Sequence, residues 1–297
     1  MNEVSHASRR LFLGGIAVAL SGGLWSHRAS AHNGDFRALP KALWVWLKSL
    51  NELPELSQFA VDHRFDALMI HFRDSSRTEL LEGRTSAIRI LRELKGKNCL
   101  CYALAGEPQW ATQSTIPRSI GQLLEINRRH ALFDGLHLDV EPHSLPAWRQ
   151  PDGRAALMRG MADFAVRMRQ TLPENMKLQL AVHPKNALQS MGDQDFLERV
   201  ASHVQEIALM AYRDTPQRQQ RAAKDAILRL QQLKLSWRMG VLSNPPKEPG
   251  VSYHGLQPAV FATRMQELWG VLKSAPQCRG LIFENYHSLR GLLLDRS

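Results

Sequence analysis

The chain has three cysteines in 297 residues, and their spacing fits neither a metal-ligand pattern nor a disulfide framework. Cys99 and Cys101 lie two apart on an expected strand, where they share a face but are poorly placed to bond each other. With the remote Cys278 they read as buried apolar residues. Aromatics make up 7% and do not interleave with the basic residues. The formal charge of +10, from 38 Lys and Arg against 28 Asp and Glu, is spread over expected helix surfaces, as at Arg218, Arg221, Lys224 and Arg229. Such a spread is a solvated face, and no nucleic-acid partner is expected. No low-complexity tract, fixed-period repeat or Gly-rich phosphate loop is present. With 44% hydrophobic and 22% charged residues, the composition excludes a disordered or membrane-embedded protein.

The first 31 residues read as an export signal. Ser8-Arg9-Arg10-Leu11-Phe12-Leu13 is followed by a Gly- and Ala-rich apolar run to Trp25, and Ala29-Ser30-Ala31 supplies the small-x-small cleavage pattern. The apolar run is short of the ~20 residues a membrane span needs, and no later segment is long and apolar enough, so no stable membrane anchor is expected. The paired arginines resemble a twin-arginine signal, although Gly14 stands where that pattern often has Lys. A general secretory signal with adjacent arginines is the alternative. Either route predicts a periplasmic or secreted protein of bacterial type, with the Tat translocon as the partner in export on the first reading. The expected organisation is a signal over 1–31, a short linker over 32–40 and one domain over 41–297.

Eight short runs rich in Leu, Val, Ile and Met recur through that domain: Ala42–Lys48, Asp66–Phe72, Leu100–Ala105, Gly135–Glu141, Leu178–His183, Ile207–Tyr212, Arg238–Ser243 and Gly280–Glu284. Helix-period stretches lie between most of them. Leu157, Met161, Phe164 and Met168 share one face, as do Phe261, Met265, Leu268 and Leu272, and Ala223, Ile227 and Leu230 mark another. Strands alternating with helices predict parallel pairing with strands buried on both sides. Eight such units predict an α/β fold, a single (β/α)8 TIM barrel; these commonly run to about 250 residues.

Side chains alternate along a strand, so a barrel makes definite assignments. In the fourth strand Leu136, Leu138 and Val140 form the outward set, which leaves His137, Asp139 and Glu141 inside, with Glu141 at the C-terminal mouth. The same parity places His183 inside on the fifth strand, His71 and Arg73 on the second, Tyr212 and Asp214 on the sixth, and Glu284 and Tyr286 on the eighth. Polar residues therefore gather at the C-terminal strand ends, where barrel enzymes keep their chemistry. Two acids at i and i+2 on one strand face sit about 7 Å apart at Cα. Like charges in a half-buried site raise one pKa, which leaves a carboxylic acid able to stay protonated near neutrality.

Phe133-Asp134-Gly135-Leu136-His137-Leu138-Asp139-Val140-Glu141 resembles the fourth-strand signature Asp-Gly-x-Asp-x-Asp-x-Glu of family 18 glycoside hydrolases, the chitinases and endo-β-N-acetylglucosaminidases. Met210-Ala211-Tyr212 resembles the family's sixth-strand Met-x-Tyr. The resemblance implies a retaining, substrate-assisted glycosidase acting on an N-acetylated polysaccharide or oligosaccharide. Glu141 would protonate the glycosidic oxygen. Asp139 would orient the substrate's acetamido group, whose carbonyl oxygen is the nucleophile, and Tyr212 would hydrogen-bond that group. No cofactor and no metal are called for.

Three features depart from the pattern. His137 replaces the innermost acid, placing an imidazole beneath Asp139 as its expected hydrogen-bond partner. Arg213 follows Tyr212 where the family usually has Asp or Asn, and Asp214 lies one place late. Phe283-Glu284-Asn285-Tyr286-His287 lacks the Trp that commonly floors a sugar subsite, a role open to Tyr286 or Trp46. Trp148, in the loop after Glu141, is a stacking candidate; Trp110 and Trp237 stand between stacking and helix packing. His71 and His183 stand between site wall and core, and Glu284 between a second acid and an ion pair with Arg213 or Arg73. The stretch from Asn244 to Gln257 is too short for an inserted domain, which predicts a shallow groove. Two other functions remain open: a metal-dependent hydrolase or isomerase using His71, Asp139, Glu141 and His183, and a carbohydrate-binding barrel that has lost catalysis.

Overall fold

A computed structural model describes residues 36–294. The expected export signal, with its twin arginines and the Ala29-Ser30-Ala31 site, lies outside the described residues. The eight strands are β1 (Lys41–Trp46), β2 (Ala67–His71), β3 (Leu100–Ala105), β4 (Gly135–Leu138), β5 (Lys177–Val182), β6 (Glu206–Leu209), β7 (Ser236–Leu242) and β8 (Cys278–Glu284). Each is parallel to the next, and β8 pairs with β1 through Ala42 and Ile282, closing the barrel. The expected (β/α)8 barrel is the observed fold, with all eight strands at the expected places.

The helices are α1 (Leu53–Asp62), α2 (Asp74–Leu81), α3 (Thr85–Gly96), α4 (Arg118–His130), α5 (Gly153–Thr171), α6 (Pro184–Ala187), α7 (Phe196–Val200), α8 (Pro216–Gln232), α9 (Pro258–Leu272) and α10 (Tyr286–Leu294). Prolines open several of them, because a ring-locked φ suits the first helical turn and the missing N–H is not needed there. Pro142 acts likewise after β4, starting a short 3-10 turn over Pro142–Ser144. The strand thus ends at Leu138, earlier than the apolar run, although the Asp139 N–H still reaches the Ala105 carbonyl at 3.0 Å.

The core has two layers. The outward set of the strands, including Leu136, Leu138, Leu178, Leu180 and Leu68, packs against helix faces that bury Leu157, Met161, Phe164, Met168, Phe261 and Met265. The smaller inner layer holds Ala42, Trp44, Met69, Tyr102, Leu104, Ala181, Ala208, Met210 and Ile282, with Trp46 and Tyr212 partly buried above it. Burying apolar area on both faces of the sheet is what a barrel strand requires, at about 25 cal/mol per Å². The cysteines behave as small hydrophobes: Cys99 and Cys101 are buried, and burial pushes the Cys99 thiol up to about 12. Trp110 tilts against Phe164, and the Trp237 indole donates to the Pro276 carbonyl, so both are packing residues.

Candidate active site at the barrel mouth

The inner layer contains a polar chain that the sequence only partly announces. The Trp44 indole N–H donates to His137 Nε2 at 2.9 Å, which fixes the proton of the neutral ring on Nδ1. That N–H meets Gln179 Oε1 at 3.0 Å. The Gln179 amide donates to Glu206, held in turn by Arg238, whose guanidinium also pairs with Asp66 at 2.8 Å. His137 is 1% exposed, and burial lowers its pKa to about 4. Expected to line the site and to bond Asp139, it does neither: both ring nitrogens are taken inside the barrel. A charged imidazole holding Asp139 ionised is thereby removed.

Above it, Asp139, Glu141, Tyr212 and Glu284 converge on the mouth. Burial, followed by the neighbouring Glu141 and then Glu284, raises the Asp139 carboxyl to about 8. Its Oδ1 is buried and has no hydrogen-bond partner. The Tyr212 hydroxyl donates to Glu284 Oε2 at 2.5 Å. Burial and Glu141 hold the Glu284 carboxyl above its ordinary range, against the opposing pull of the Tyr212 hydrogen bond. The Tyr212 phenol is likewise raised by burial and by Glu284, so it keeps its proton. Glu284 therefore partners Tyr212, not Arg213 or Arg73; Arg213 instead donates to the Tyr212 carbonyl. Asp139 and Glu284 are thus both raised carboxyls, and Glu141 lines the open groove.

That groove, of about 450 Å³, is lined by Glu141, Trp148, Arg154, His183, Lys185 and Tyr212, among others. Trp148 is half-buried on the turn Pro146–Arg149, with the Arg154 guanidinium 5.1 Å over its ring. His183 Nδ1 accepts from the Lys185 backbone N–H at 3.2 Å. A second hollow of about 260 Å³ lies at the ends of β2 and β3, lined by His71, Arg73, Arg77, Gly106 and Glu107. His71 thus sits in a different hollow from Glu141 and His183. Among the described residues no three His, Cys, Asp or Glu side chains are grouped to hold a metal ion, so the ligand set of the metal-dependent alternative is not brought together.

Two expected site residues lie elsewhere. Asp214 is turned to Arg218, at 2.6 Å, and its N–H bonds the Gly250 carbonyl. Tyr286 is 1% exposed in the helix layer, edge-on to Phe59. Strand alternation carries no information past the strand end, and α10 begins at Tyr286. Trp46, like Tyr212, is partly buried against the inner layer.

Residues outside the expected set also shape the site. A Cβ on Gly106 would lie 1.9 Å from the Asp139 carbonyl oxygen, so only glycine lets the end of β3 approach the acid-bearing segment. Gly240 on β7 similarly leaves room for the Tyr212 ring, 3.1 Å from where a Cβ would stand. Gln179 was readable by parity, since it shares the inward face of β5 with His183; the glycines give no comparable signal.

No family model and no curated protein matches the chain. Among solved structures it is similar to the family 18 chitinase ChiB of Flavobacterium johnsoniae, at 13% identity and a TM-score of 0.52, covering 86% of this chain and 92% of that one. It is equally similar to a probable 3-DHS dehydratase, AsbF of Bacillus anthracis, at 11% identity and 0.51, covering 86% and 96%. The chain spans 54% of the spore cortex-lytic enzyme SleL of Bacillus cereus, matching over 72% of its own length at 14% identity and a TM-score of 0.43, too loose to bear on the fold. At these identities the likenesses establish the barrel and nothing finer.

Proposed function

We propose that the protein is an exported glycoside hydrolase that cleaves an N-acetylated glycan by acid catalysis with participation of the substrate's acetamido group. The observation that carries this reading is the buried, unpartnered Oδ1 of Asp139 beside Glu141, Tyr212 and Glu284 at the barrel mouth. An orphaned buried acceptor is costly unless something bonds it, and an acetamido N–H in the groove is a fitting donor. Asp139 then turns the acetamido carbonyl toward C1. Glu141, at the groove wall, gives its proton to the glycosidic oxygen as that carbonyl oxygen attacks C1 and the leaving sugar departs. Water opens the resulting five-membered ring and returns a proton to Glu141, so configuration is retained. The Tyr212 hydroxyl turns from Glu284 to the acetamido oxygen, and Trp46 and Trp148 are the aromatic surfaces for sugar rings. Family 18 resemblance in the β4 and β6 segments supports the same roles, and the paired arginines with the small-x-small site support export.

Turnover of aryl N-acetylglucosaminides and chito-oligosaccharides by wild type and Glu141→Gln is the direct test. Loss of the general acid is expected to lower kcat by about 10²–10⁴. A wild type that binds these glycans but turns over none, and equals its variant, would instead favour the carbohydrate-binding barrel.

A further inference from the structure

Of the two hollows flanking the acids, the groove around Glu141 is basic and the one at the ends of β2 and β3 is charge-balanced. On the β4–β6 side the groove around Glu141 carries Arg154 and Lys185, with His143 and His183 beside them. Arg213 is close enough, with Lys185 and His143, to help burial lower the His183 pKa. On the other side of Asp139 the hollow carries Arg73 and Arg77 against Glu107 and Asp74, and there Arg77 is tied to Asp74. Arg73, Arg154, Lys185 and Arg213 form no ion pair among the described residues. Gly106 belongs to one hollow and touches the Asp139 backbone, and Glu141, two residues on, belongs to the other, so the acids stand between a charge-balanced hollow and a basic groove.

A neutral sugar chain offers these cations hydrogen bonds but no opposite charge, whereas acidic substituents on rings in the groove would supply both. Cations set in a groove also raise the local concentration of an anionic ligand. We propose that the glycan taken here is anionic, bearing acid groups that Arg154 and Lys185 engage in the groove beside Glu141; this rests on the glycan-directed reading of the site. It narrows the substrate class, since a cationic, de-N-acetylated chain would be repelled by the groove cations.

The test is calorimetric binding by Glu141→Gln protein of three probes: an N-acetylglucosamine hexamer, its C6-oxidised counterpart with a carboxylate on each ring, and a 6-O-sulfated hexamer. The charged probes are expected to bind about tenfold tighter than the neutral one at low salt, two or three exposed charge contacts being enough for that. The advantage should vanish near 1 M salt, where the screening length is about 3 Å. Adding Arg154→Gln and Lys185→Gln, both at exposed positions, should remove most of it. Whichever charged probe binds tighter identifies the acid group. Equal affinity for neutral and charged probes, or a preference untouched by the two substitutions, overturns the inference. Equal affinity together with wild-type hydrolysis of the neutral hexamer leaves the glycosidase reading standing, while salt-sensitive preference in a wild type that cleaves no probe removes hydrolysis and keeps the anionic ligand.

Discussion

Asp139 shows how position, not residue type, divides labour between neighbouring acids. Asp139 lies deeper than Glu141, and burial raises its carboxyl, with the like charges of Glu141 and then Glu284 adding to the rise. An acid whose pKa rises on folding stabilises the fold fully below its unfolded value, near 3.8, and loses that contribution as pH climbs toward about 8. Asp139→Asn, neutral throughout, is therefore expected to be more stable than wild type at pH 8 by on the order of a few kcal/mol, with no advantage at pH 4. Urea unfolding at the two pH values measures this, and equal stability at pH 8 would show that Asp139 is not held protonated. The same substitution is expected to abolish turnover, since stability and function pull apart at such sites.

At the level of elements, barrel geometry made most of the site legible. The outward sets of β2, β4 and β5 were plain from their Leu, Ile and Val, and parity then placed His71, Asp139 and His183 at the mouth. The method failed where its premise ended. Tyr286 and Asp214 lie beyond their strands, in a helix and a loop, where alternation stops. His137 was placed on the correct face, but its partners Trp44 and Gln179 come from strands distant in sequence, and nothing local to β4 names them. Gly106 was invisible for the same reason, since its constraint is the backbone of another strand. Gly106→Ala is expected to cost about 1–3 kcal/mol and to cut activity by displacing Asp139. Gly121→Ala, on the exposed face of α4 with open space around it, should gain about 0.5–1 kcal/mol and leave activity alone. Thermal unfolding and rates for the pair decide this; similar behaviour of both would deny Gly106 its role.

For the whole molecule, the barrel begins before its first strand. Phe36 packs on Phe261 and Phe283, Leu39 is 3% exposed, and the Pro40 carbonyl accepts from Leu281. With the export boundary proposed after residue 31, a chain starting at Asn33 is expected to unfold with the same midpoint as the full chain. One starting at Lys41 should lose about 3–6 kcal/mol, the burial of two large apolar side chains. Equal midpoints for both would show that the Phe36–Pro40 segment contributes nothing. The claim on which the functional account turns is that the substrate's own acetamido group attacks C1 between Asp139 and Glu141. Proton NMR of the first sugars released from an N-acetylglucosamine hexamer tests it. The account predicts the β-anomer appearing first and no turnover of the same hexamer stripped of its acetyl groups. Early α-anomer, or cleavage of the stripped hexamer at a comparable rate, would contradict it.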